Sequence, residues 1–63
     1  MKKEVLVLVL NEWMRRYIDE PEVFETEFDT VRDFLKQDCA GEEPTYGVVG
    51  AEYMVKIAED LGL

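Results

Sequence analysis

Ten carboxylates crowd into residues 19–43 of this chain: Asp19, Glu20, Glu22, Glu25, Glu27, Asp29, Asp33, Asp38, Glu42 and Glu43, against two cations, Arg32 and Lys36. Three kinds of chemistry come with such a set. Paired acids perform general acid–base catalysis when burial raises one pKa. Oxygen ligands spaced around a glycine hold calcium. A row of acids on one helix face presents negative charge to a basic partner. Spacing decides among them. Glu22, Glu25, Asp29 and Asp33 recur at three and four residues, and on a helical wheel the last three lie within about 60° of Glu22. Phe24, Phe28, Val31 and Leu35 centre about 210° away from Glu22. The acidic row therefore projects away from the predicted core, where nothing would raise a pKa. No glycine lies between Asp19 and Asp29 to shape a calcium loop. The charged array is what remains. Its members sit ~5–6 Å apart, close to the roughly 6–7 Å between phosphates of one nucleic-acid strand. Such a row imitates part of a phosphate backbone. Arg32 and Lys36 weaken the likeness, and a solvated face that keeps a small protein soluble is the plainer reading.

The charge balance narrows the partners. The chain of 63 residues holds 15 acids and 7 bases, a net charge of −8. Residues 19–43 generate all of it, because the remaining acids and bases cancel. Direct binding to nucleic acid or to an anionic membrane is disfavoured, since both are polyanions. A basic surface on a larger protein is favoured. Histidine and serine are absent and Cys39 is the lone cysteine. That leaves no disulfide within one chain, no Cys/His zinc site and no Ser-His or Cys-His pair. Gly47 to Gly50 lacks the spacing and the lysine of a phosphate loop. No cofactor and no metal are expected, and the residues offer no enzyme constellation. Cys39, near the end of a predicted helix, reads as a small packed residue.

Aromatic residues are the second candidate feature. Trp13, Met14 and Tyr17 lie within one helical turn, and Trp and Tyr are enriched at binding hot spots. At helical spacing core packing is their commoner role. Tyr46, in the turn-like segment Pro44 to Gly47, either packs back on the fold or reaches a partner. Arg15 and Arg16 are too few for a nucleic-acid patch and read as solvated helix surface.

Three amphipathic segments must position these groups. Residues 4–19 read as a helix whose apolar side, from Val5 to Ile18, spans about 220°. The run Val5 to Leu10 is the alternative strand, but no convincing second strand follows it. Residues 21–39 form a second helix, with Pro21 in its first turn and Gly41 as its stop. If Asp29 and Thr30 reset it, a fourth short helix covers 21–27. Residues 48–61 form the last, with Gly50 as an early break and Gly62 as its stop. The expectation is an all-α fold, a compact bundle of three main helices in a single small domain over residues 1–63. The Lys2, Lys3 and Val5 to Leu10 run is too short for a signal peptide and lacks a cleavage site. A membrane span needs ~20 apolar residues and none is present. Both points, with a free cysteine, fit a cytoplasmic protein. A core of this size rarely supplies more than ~3–5 kcal/mol without a disulfide, metal or oligomer. The wide apolar arc of the first helix therefore suggests a homo-oligomer.

In size, acidity, concentration of charge, lack of His and Ser, and helical character, the chain resembles small bacteriophage-encoded anti-defence inhibitors of the anti-CRISPR and anti-restriction type. The resemblance implies stoichiometric inhibition of a host nucleic-acid-binding complex rather than catalysis. It carries no diagnostic motif and assigns no residue. Together the readings point to a non-enzymatic acidic protein that occupies a basic surface of a larger protein. Glu22, Glu25, Asp29 and Asp33 would steer the encounter, and Trp13, Tyr17 and Tyr46 would add contact. The alternative is an assembly subunit that self-associates through its first helix.

Overall fold

The computed structural model describes residues 2–38, 40 and 42–63. Three helices follow one another: α1 (Lys3–Asp19), α2 (Pro21–Asp38) and α3 (Tyr46–Asp60). Each packs against both others, and the described residues contain no strand. Val5 to Leu10 is helical, so its backbone bonds are satisfied within the segment and no second strand is required.

One residue separates α1 from α2. Proline disfavours the helical conformation in the residue before it, and Glu20 accordingly leaves the helix at φ −136° and ψ 57°. Its N–H still donates to the Arg16 carbonyl at 2.9 Å, and its own carbonyl accepts from the Phe24 N–H at 2.9 Å. The chain thus turns without stranding either group. Beyond Pro21, α2 runs unbroken through Asp29 and Thr30, so the described residues form no separate short helix over 21–27. The hydroxyls of Thr26 and Thr30 donate back to the Glu22 and Thr26 carbonyls at 2.9 and 2.8 Å. Those bonds satisfy the hydroxyls inside the helix rather than breaking it. The expected roles of Cys39 and Gly41 lie outside the described residues.

The last helix begins two residues earlier than its hydrophobic pattern predicts. The Thr45 side chain accepts from the Val48 N–H and caps it, which brings Tyr46 and Gly47 into the first turn. Gly50 does not break it. A Cβ placed there would meet the Trp13 ring at 3.3 Å, so the missing side chain is the notch into which Trp13 packs. At the far end Gly62 takes φ 75°. The Gly62 N–H bonds the Glu59 carbonyl and the Leu63 N–H bonds the Ala58 carbonyl, the paired closure that a left-handed glycine permits.

The core is small. Val9, Tyr53, Ile57 and Ala58 are buried together, and Val5, Trp13, Phe24, Phe28, Val31 and Met54 pack on them. Rings dominate it. Trp13 meets Tyr53 edge-on at 5.0 Å, and Phe24 and Phe28 meet Tyr53 at 5.5 and 5.9 Å. No residue of α2 is fully buried, so that helix lies across the other two and exposes most of its circumference.

Candidate binding surface

The outer side of α2 carries Glu22, Glu25, Asp29 and Asp33, all exposed. They follow from the helical phase that turns Phe24, Phe28 and Val31 inward. Beside them lie two cations of the same helix, Lys36, which pairs with Glu43, and Arg32. Its guanidinium lies 3.6 Å from Asp29 and 3.8 Å from Asp33, which is long for exposed pairs and worth little. Glu22 and Glu25 have no cation within 4 Å among the described residues.

Most other cations of the chain pair with its own carboxylates. Arg15 pairs with Glu12 at 2.6 Å and Glu20 at 3.0 Å. Lys36 pairs with Glu43 at 2.8 Å and holds that carboxyl below its ordinary range. Arg16 and Lys56 enter a cluster that joins all three helices. The Tyr53 hydroxyl donates to Glu27 Oε1 at 3.1 Å, and Lys56 Nζ donates to Glu27 Oε2 at 2.9 Å. Lys56 also reaches Asp60 at 2.9 Å. Arg16 lies 3.3 Å from Asp60 and 3.5 Å from Glu27, and its Nε donates to Glu12 at 3.1 Å. Of the seven cations, only Lys2 and Lys3 lack a carboxylate partner among the described residues.

The electrostatics of this cluster are those of a clamp. Lys56 first, then Arg16, keep the Asp60 carboxyl below its ordinary range against partial desolvation. Arg15 and Arg16 do the same for Glu12. Asp60 and Glu27 hold the Lys56 ammonium above its ordinary range. Burial pushes the Tyr53 phenol up; Arg16 beside it opposes the rise and Glu27 adds to it. Each shift fixes the charge state found at neutral pH, so these groups are set to hold rather than to exchange protons.

Arg16 departs from the sequence reading. Its side chain is 12% exposed and belongs to the interior edge of α1, not to its solvated surface. Glu27, one of the ten acids but not of the acidic row, turns toward α3, where Tyr53 and Lys56 meet it. The pairs Glu12/Arg16 and Lys56/Asp60, each four residues apart, were the available signals. Nothing local pairs Glu27 with Tyr53 across 26 positions.

The aromatic candidates separate. Trp13 is half-buried among Phe24, Phe28 and Tyr53. Tyr17 is exposed, with its ring edge-on to Phe24 at 5.5 Å. Tyr46 is 81% exposed and stacks on Phe28 at 6.5 Å. Tyr17 and Tyr46 thus lie on the phenylalanine side of α2, and the structure does not bring them onto its acidic side. Between α2 and α3 runs a groove of about 270 Å³ lined by Val31, Phe34, Leu35 and Val55. Among the described residues no three His, Cys, Asp or Glu side chains converge to hold a metal ion. No described helix is long and apolar enough to cross a membrane. No protein-family model matches the chain, and no curated protein or solved structure matches it.

Proposed function

We propose that this chain is a non-enzymatic binding protein that regulates or inhibits a larger protein by occupying a basic surface on it. The observation that carries the proposal is the uneven use of charge. Five of seven cations are bound to carboxylates of the same chain, while Glu22 and Glu25 stand free beside loosely paired Asp29 and Asp33. The field that leaves the molecule is therefore negative and strongest along α2. A surface of that sign is complementary to one that otherwise grips nucleic-acid phosphates. This is the mode of action implied by the likeness to phage anti-defence inhibitors. Steering by such a face raises the association rate more than the equilibrium affinity.

The test is quantitative capture. The full chain and its E22Q/E25Q/D29N/D33N variant are immobilised and exposed to lysate of the native host, then washed through a salt gradient. Retained proteins are identified by mass spectrometry. The proposal expects a basic protein held by the wild type, released as salt rises, and lost from the variant. Equal retention by both chains at every salt concentration would refute it and leave the acidic row as a device for solubility.

A further inference from the structure

The groove between α2 and α3 holds about 270 Å³, less than the roughly 300–1,000 Å³ of sites that enclose a small molecule. Val31, Leu35 and Val55 give it apolar walls, and at its edge the Phe34 ring is 65% exposed. What borders the groove identifies its occupant. On the α3 side stand Glu52 and Glu59, two helical turns apart on one face. Both are exposed and have no cation within 4 Å among the described residues. Lys56 also lines the groove, but its ammonium is bound to Glu27 and Asp60, each at 2.9 Å. On the α2 side, passing around the helix from Val31, come Phe34, Thr30 and then Asp33, in steps of about 60°, 40° and 60°. The acidic row is thus the strip beside the α2 wall, and the apolar slot runs between two lines of carboxylates.

We infer, building on the reading of the chain as a binder of basic surfaces, that this groove takes a basic amphipathic helix of the partner protein. Its apolar stripe seats against Phe34 and Val55, and its lysines and arginines face the acids on both sides. Charge selects that occupant, because an acidic helix would meet like charge at Glu52, Glu59 and Asp33. Conformation selects a helix. The described residues offer no strand edge for an extended peptide to join, whereas a groove between two helices receives the ridge of a third. Apolar anchors at three- and four-residue spacing are how such a helix is read. The acidic row then steers the encounter, and the groove supplies the desolvated contact that holds it.

Nuclear magnetic resonance of the isotope-labelled full chain tests it, with two synthetic peptides of about five helical turns as probes. One carries leucine at every third or fourth position and lysine along both flanks. The other has the same composition in scrambled order, so that no apolar stripe forms. The first should shift the amides of Thr30, Phe34, Glu52, Val55 and Glu59, and should bind at least ~10-fold tighter than the second, since only its stripe buries apolar area. F34A removes an exposed ring and should weaken that binding at least ~5-fold. E52Q/E59Q should weaken it several-fold, and less as salt rises. Both variants should keep the helicity of the wild type by circular dichroism. Equal binding of the two peptides, with shifts along Glu22 to Asp33, overturns the groove and leaves the basic-surface reading standing. Shifts confined to α1, indifference to F34A or to E52Q/E59Q, or no binding of either peptide also overturn the groove, and the basic-surface reading then rests on the capture experiment alone.

Discussion

Replacing Glu27 with alanine removes the one carboxylate that touches all three helices. The cost can be worked from its partners. Tyr53 is fully buried and donates its hydroxyl to Glu27; a buried donor left unpaired costs ~1–3 kcal/mol. Lys56 keeps Asp60 and Arg16 keeps both Asp60 and Glu12, so their losses are small, about 0.5 kcal/mol together. The expected destabilisation is about 2–3 kcal/mol. Set against roughly 3–9 kcal/mol for a chain of this length, that is a large fraction of the total. E27Q retains an acceptor for Tyr53 and should cost only about 1 kcal/mol. Y53F removes the donor while Glu27 keeps Lys56, again about 1 kcal/mol. With Tyr53 already replaced, E27A has no hydroxyl to strand, so the double variant should cost less than the two singles added, by about 1 kcal/mol. Urea unfolding followed at 222 nm measures all four chains. An E27A variant within ~0.5 kcal/mol of wild type, or strict additivity with Y53F, would refute the reasoning and reduce the clamp to an accident of close side chains.

Acid should weaken the fold through the same cluster. Asp60 and Glu12 have lowered pKa values in the folded state, so their stabilisation is complete above the unfolded carboxyl range near ~4 and is lost as pH falls through the folded values. A urea series from neutral pH downward should show that loss, and D60N should show less of it. At the alkaline end Tyr53 and Lys56 have raised pKa values. Their contribution is complete below the unfolded values near ~10 and disappears as pH rises through the folded ones; Y53F should blunt the alkaline transition followed by circular dichroism. In α3, a Cβ at Gly47 would meet only Thr45 Oγ1, at 4.0 Å, an ordinary contact, so G47A should stabilise by up to ~1 kcal/mol. G50V must displace the Trp13 ring and should destabilise by ~1–3 kcal/mol, with a shift in tryptophan fluorescence.

The helices were legible because their signals are local. Pro21 and Gly62 mark boundaries by backbone chemistry that no tertiary contact overrides, and the Phe24, Phe28, Val31 and Leu35 spacing sets which side of α2 turns inward. The start of α3 was less legible. Gly47 and Pro44 read as a turn, and Thr45 becomes a cap only once Val48 is placed above it. Gly50 looks like a helix breaker until Trp13, 37 positions away, is brought against it. The acidic row was readable in full, since exposure needs no partner. The clamp was not. Periodicity assigns Arg16 to the rim of an apolar arc and Glu27 to an acidic third of the chain. Only the crossing of three helices shows that each carries the counter-charge of the other.

That crossing bears on why the charge is distributed as it is. Seven cations cannot neutralise fifteen carboxylates, so where they are placed decides where repulsion remains. Arg16 and Lys56 sit at the junction of the helices, where carboxylates are drawn close and partly desolvated, and where an unpaired acid would cost most. The outer side of α2 receives only the loosely paired Arg32 and Lys36, which is drawn to Glu43. There Glu25/Asp29 and Asp29/Asp33 repel at four-residue spacing, at a few tenths of a kcal/mol each, because solvent screens them. Spreading the cations evenly would relieve that small repulsion and strand acids at the junction. The fold thus places its two least exposed cations, Arg16 and Lys56, at the helix junction and leaves the carboxylates of the α2 row to solvent. An outward negative face follows from the scarcity of cations together with the position of the clamp, and any basic partner meets a surface that the energetics of folding had already left uncompensated.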